Sequence, residues 1–238
     1  MRAERIGKID MIRGIAIALM VIYHFCFDLD LFHVVSIDFN NSLLWLVFRA
    51  LIVTMFLLLV GASLYLATKN GINRQRFLKR LMLLMLCAGL VSVASDILFP
   101  KSMIFFGILH FIAVASVLGL AFRSFYRINL VLGILLIVLG TFYKHPIFNA
   151  KALQWLGLMT HRPITEDYVP ILPWFGVVLI GLFIGRMLFD KRRLYSGAGK
   201  QSGLAQRALA LAGRHSLLIY MVHQPVLIGS LYFFIEIL

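Results

Sequence analysis

Acidic residues are scarce in this chain. Ten Asp and Glu stand against 23 Lys and Arg in 238 residues, and charged residues of all kinds make up 14%. A soluble protein carries roughly 25% charged residues, so an ordinary water-facing surface is excluded. Cysteine is scarcer still. Cys26 and Cys87 both lie inside apolar runs, which excludes a disulfide framework. Cys26 is two residues from His24, about 200° away around a helix, so a Cys–His nucleophile pair is excluded too. There is no GxxxxGK[ST] or GxGxxG loop, so nucleotide hydrolysis and dinucleotide chemistry have no motif here. HExxH and paired Cys/His spacings are also missing, and no metal is expected. No small-residue cleavage site follows the first apolar run, which is too long for a secretory signal.

What the chain has is apolar length. Apolar residues make up 61% of it, and mean hydropathy is +0.93. That composition predicts an all-α polytopic membrane bundle with the lipid bilayer as its solvent. Seven segments are predicted: 11–32, 43–67, 77–99, 103–122, 128–143, 169–189 and 211–238. The net charge of +13 reads as topogenic, and no nucleic-acid partner is expected. The cations alternate along the chain. Arg2, Arg5 and Lys8 precede the first segment, and Lys69, Arg74, Arg76, Lys79 and Arg80 follow the second. Arg123 and Arg127 follow the fourth; Lys191, Arg192, Arg193, Lys200 and Arg207 follow the sixth. Lys and Arg gather in loops that stay cytoplasmic, which predicts a cytoplasmic N-terminus and an outside C-terminus. Residues 148–158 are expected to form a short surface helix with Trp155 at headgroup level, and 194–206 a flexible linker. No domain boundary is evident within 1–238.

The first segment carries Arg13, His24, Asp28 and Asp30. A charge at mid-membrane costs about 2.5–3.5 kcal/mol even on insertion scales, so an anchoring helix would not keep them. At 100° per residue, Arg13, Ile17, Met20, His24 and Asp28 share one face, with Arg13 and His24 ~16 Å apart along the axis. The other helices are expected to pack around that face. Arg49, inside the second segment, can snorkel to the headgroups or pair with Asp28 or Asp30; pairing is the expectation. Asp96 and Asp167 stand at helix ends, where capping is the ordinary role. His110 follows Gly107 by one turn, and His223 and Gln224 precede Pro225 in the last segment. A single buried His is commonly a satisfied core residue. His24, His110 and His223, at comparable depth on three segments, point instead to a shared functional cavity.

Four stretches resemble one family in order: IDMIRGIAIALMVIYHFCFDLD, FFGILHFIAVAS, DYVPILPWFGVVLIGLFIG and GRHSLLIYMVHQPVL. Together they resemble the heparan-alpha-glucosaminide N-acetyltransferase catalytic-domain family of the transmembrane acyltransferase superfamily, in particular its small bacterial members. Arg13 and His24 also reproduce the Arg-x10-His spacing of the related acyltransferase-three family, whose His is catalytic. The resemblance implies a bacterial inner-membrane enzyme moving an acyl group, expected to be acetyl, from cytoplasmic acyl-CoA to an extracytoplasmic glycan or lipid-linked sugar. His24 would be general base or transient acyl carrier, with Asp28 orienting it. Arg49 or His110 would stabilise the oxyanion, and His223 would share the cavity. Arg13, Arg186 and Arg214 would take the coenzyme A phosphates, although the positive-inside rule alone also explains them. Relatives have ten or eleven helices, so a seven-helix chain is expected either to lack part of a substrate site or to complete it by self-association. The competing reading is a proton-coupled transporter with an intramembrane His/Asp relay.

Overall fold

The computed structural model describes residues 7–190 and 203–237. The fold is all-α, with no strand among the described residues. The helices are α1 (Gly7–Leu31), α2 (Leu43–Thr68), α3 (Arg74–Leu98), α4 (Ile108–Phe122), α5 (Arg127–Phe142), α6 (Ile171–Asp190), α7 (Leu204–Arg214) and α8 (Ser216–Ile237). Five of them, α1, α2, α3, α6 and α8, are long and apolar enough to cross a membrane, while α4 and α5 are shorter apolar helices. The expected cations Arg2, Arg5, Lys191, Arg192, Arg193 and Lys200 lie outside the described residues, as does most of the expected linker 194–206.

Three expectations need correction. The last apolar segment is two helices, not one. The chain turns at His215 (φ −103°, ψ 19°), whose N–H reaches the carbonyls of Leu211 and Ala212, so α8 starts at Ser216. The surface helix at 148–158 is replaced by two 3₁₀ turns, Pro146–Asn149 and Lys151–Leu156. They are separated by Ala150, whose backbone is extended (ψ 131°). Trp155 is still exposed there. Finally, residues 103–107 are not helical, and α4 begins only at Ile108.

That extended stretch explains two serines. Backbone outside a helix at membrane depth must find its hydrogen bonds within the protein. Ser95 Oγ accepts from Ile104 N (2.9 Å), and Ser92 Oγ donates to the Ile104 carbonyl (2.6 Å). The Phe106 carbonyl accepts from Val169 N (3.2 Å). The N-terminus of α4 is capped from a distance. Gly107 has no side chain to do it, and Asp167 Oδ2 accepts from Ile108 N (2.8 Å) instead. Asp167, expected at the start of α6, therefore caps α4. A Cβ on Gly107 would overlap that carboxylate.

The described residues divide into two compact units, 7–56 with 203–237, and 57–190, with the boundary inside α2. In the second unit α6 is the hub, with Val178, Leu179 and Leu182 almost wholly buried. Between membrane helices the packing gain comes from close approach, which small residues permit. Gly176 lies against Gly133 of α5, and Gly181 against the Leu58 backbone of α2. In the first unit, Ile17, Met20 and Tyr23 of α1 form a core with Phe39 and Ile52. Tyr23, Phe39 and Trp45 stack their rings at edge or tilted angles, folding the connection 32–42 back onto α1.

Candidate functional site

The face predicted on α1 is the one that packs. Gly14, Ile17, Met20 and Asp28 are buried there. Opposite it, α8 presents Tyr220, His223 and Gln224. The His24 and His223 rings meet edge-on with centroids 4.9 Å apart. Gln224 Nε2 donates to Asp28 Oδ1 (3.1 Å), and Asp28 is fully buried. His223 Nδ1 lies 2.7 Å from the Tyr220 carbonyl. A carbonyl can only accept, so Nδ1 carries the proton and Nε2 of the neutral ring holds the lone pair.

Four buried atoms in this cluster have no partner among the described residues: His24 Nδ1, Asp28 Oδ2, His223 Nε2 and Gln224 Oε1. Each such atom costs about 1–3 kcal/mol, and native structures keep few of them. Here they come from two facing helices, and lipid can satisfy none of them. The arrangement offers a polar guest two ring nitrogens, a carboxylate oxygen and an amide oxygen.

Arg49 is half-buried and pairs with neither acid. Asp28 is engaged by Gln224, and Asp30 Oδ1 accepts from Ile37 N (2.8 Å) to hold the turn after α1. His110 belongs to the second unit, with Nε2 3.3 Å from Ser92 Oγ. Ser92 already gives its proton to Ile104, so His110 is the donor in that contact. Asp96 is exposed at the end of α3. Arg186 sits on α6, with Nε 3.3 Å from Asp190 Oδ2 and Nη1 donating to the Ser124 carbonyl (2.9 Å).

Arg13 and Arg214 do meet, around an acid that the sequence reading passed over. Asp10 is 3% exposed, with Oδ1 3.1 Å from Arg13 Nη1 and Oδ2 3.3 Å from Arg214 Nε. The i,i+3 spacing of Asp10 and Arg13 was the available signal; the partner 204 residues away was not. Two glycines make the contact possible. A Cβ on Gly14 would overlap the Leu209 carbonyl, and one on Gly213 the Asp10 carbonyl.

The sequence profile of the family described as heparan-alpha-glucosaminide N-acetyltransferase, catalytic, matches residues 5–225. The chain belongs to this family. The match includes α1 and its polar face, runs through both compact units, and ends just after His223 and Gln224. Membership points to membrane acyltransferase activity in a multi-pass membrane protein, and in general the family takes acetyl-CoA as donor and a sugar as acceptor. No curated protein and no solved structure matches the chain.

Proposed function

We propose that this chain moves an acyl group, expected to be acetyl, from cytoplasmic acyl-CoA to an amine or hydroxyl of an extracytoplasmic glycan or lipid-linked sugar. The setting would be a bacterial inner membrane. The observation that carries the reading is the cluster of four unpartnered buried polar atoms on His24, Asp28, His223 and Gln224. An acyl transfer needs a group that accepts the acceptor's proton as its N or O attacks the thioester carbonyl and the C–S bond breaks. His24, on the packed face of α1, is suited to that role as general base. His223 Nε2 holds a lone pair beside it and can pass the proton on. Asp28 stabilises the imidazolium electrostatically, with Gln224 holding the carboxylate in place. Arg49 of α2, in the same unit, is the candidate donor to the oxyanion. Arg13 and Arg214, which meet at Asp10, are the candidate cations for coenzyme A phosphates.

The experiment compares wild type with His24→Gln in liposomes, reading radiolabelled acetyl transfer and proton flux together. Glutamine keeps size and some hydrogen bonding but is no base. Transfer is expected to fall by ~10²–10⁴, while acyl-CoA binding survives. Two imidazoles beside a buried carboxylate are also what a proton relay requires. If wild type turns over no acyl-CoA and His24→Gln abolishes a proton flux, the relay reading replaces the enzyme.

A further inference from the structure

Asp10 has no part in the transfer chemistry, yet it is buried at the start of α1 and pairs with cations from two helices. Stability alone gives little reason for it. Replacing a buried ionic cluster with apolar side chains of similar size is often neutral or stabilising. The close approach of α1 and α7 comes from Gly14 and Gly213, where a Cβ would meet backbone. What Asp10 does control is where two guanidinium groups sit. Arg13 Nη1 lies on Oδ1 and Arg214 Nε on Oδ2, so both cations are held against one carboxylate. Without an anion between them the two like charges repel, and their flexible stems let them separate. The edge that Arg214 uses also matters. It meets Asp10 through Nε and makes no other hydrogen bond or ion pair among the described residues. Its two Nη groups, the end that matches two phosphate oxygens at once, are left for a ligand. The Arg214 side chain is 46% exposed and that of Arg13 24%, so a solute can reach both, while the acid is shielded at 4%.

We propose that Asp10 is a positioning residue for the acyl donor, holding Arg13 and Arg214 side by side as one phosphate-binding fork without touching the ligand itself. The proposal rests on the acyltransferase reading, which makes those two arginines the cations for coenzyme A. A free arginine loses rotamer freedom when it binds an anion. One already held by Asp10 loses less, and the difference appears as affinity. Position and charge act here with opposite sign. Asp10→Asn makes the site more positive by one unit, so an anion drawn by charge alone binds it more tightly. An anion that needs the fork binds it more weakly, despite the added positive charge.

The test titrates coenzyme A into full-length protein in phosphatidylcholine nanodiscs by calorimetry, at a temperature where every variant compared is folded. Asp10→Asn is expected to weaken binding at least about tenfold. A purely structural role would lower the unfolding temperature and leave the affinity of the folded protein unchanged. Asp10→Glu keeps the charge and moves it by one methylene. It is also expected to weaken binding, and it serves if Asp10→Asn does not fold. In an Arg214→Gln background Asp10→Asn is expected to have a smaller effect, because a residue that acts through another loses its effect with it. An equal fold-change in both backgrounds, or binding by Asp10→Asn or Asp10→Glu that is equal to or tighter than wild type, overturns the proposal and leaves the acyltransferase reading standing. No binding of coenzyme A by wild type removes that reading, and the proposal falls with it.

Discussion

Asp28 and Gln224 are joined by one hydrogen bond and each keeps an unpartnered oxygen, so the pair has separable structural and chemical roles. Gln224→Leu strips the buried carboxylate of its donor. Loss of a hydrogen bond to a charged group costs about 1.5–3 kcal/mol, and a lower unfolding temperature in detergent is expected. Asp28→Asn keeps an oxygen for Gln224 but removes the charge. Its unfolding temperature should stay near wild type while acetyl transfer falls, because the imidazolium loses its counter-charge. If both properties of Asp28→Asn match wild type, the carboxylate has no part in the chemistry. At this scale the sequence was informative where period alone decides contact. The α1 face through Ile17, Met20, His24 and Asp28 follows from 3.6 residues per turn. Arg49 was misread because depth suggested its partners. The carboxylates had nearer ones, an amide on α8 and the Ile37 N–H, that no spacing rule announces.

The elements show the same division. Seven apolar runs were readable and each contains a helix, but the ends of α4 and α8 were not. Hydropathy cannot tell apolar helix from apolar extended chain, and 103–107 is extended because Ser92, Ser95 and Val169 complete its hydrogen bonds. Helix α7 was not foreseen: it starts inside the stretch 194–206 expected to be a linker and takes in only the first four residues of the last run, 211–214. It is held to α1 through Asp10, Arg214 and the glycines at 14 and 213. Gly213→Val would drive a side chain into the Asp10 carbonyl. Overpacking of this kind costs about 1–3 kcal/mol. Faster hydrogen exchange across 204–214 is expected, with exchange in α6 unchanged. Protection of α7 equal to wild type would mean that the glycine contact does not hold it.

For the whole molecule, the number of crossings decides where the chemistry can meet its substrates. Helices α4 and α5 have 15 and 16 residues, ~22–24 Å at 1.5 Å per residue, against a hydrocarbon core of ~30 Å. If both cross, Ser124 lies on the cytoplasmic side and Asn149 outside. If neither does, both positions lie outside. Labelling of Ser124→Cys and Asn149→Cys with an impermeant maleimide is expected to place them on opposite sides, consistent with Arg123 and Arg127 in a cytoplasmic loop. Reaction of both from the outside would leave five crossings.

The central claim is that the acyl group is transferred at the cluster built by α1 and α8. A structure of the protein with a non-hydrolysable thioether analogue of acetyl-CoA tests it most directly. The account predicts the acyl group seated against the His24 and His223 rings, with its carbonyl carbon within reach of an acceptor N–H or O–H that donates to His24. An acyl carbonyl bound beside His110 and Ser92, with the His24 cluster unchanged, would contradict it.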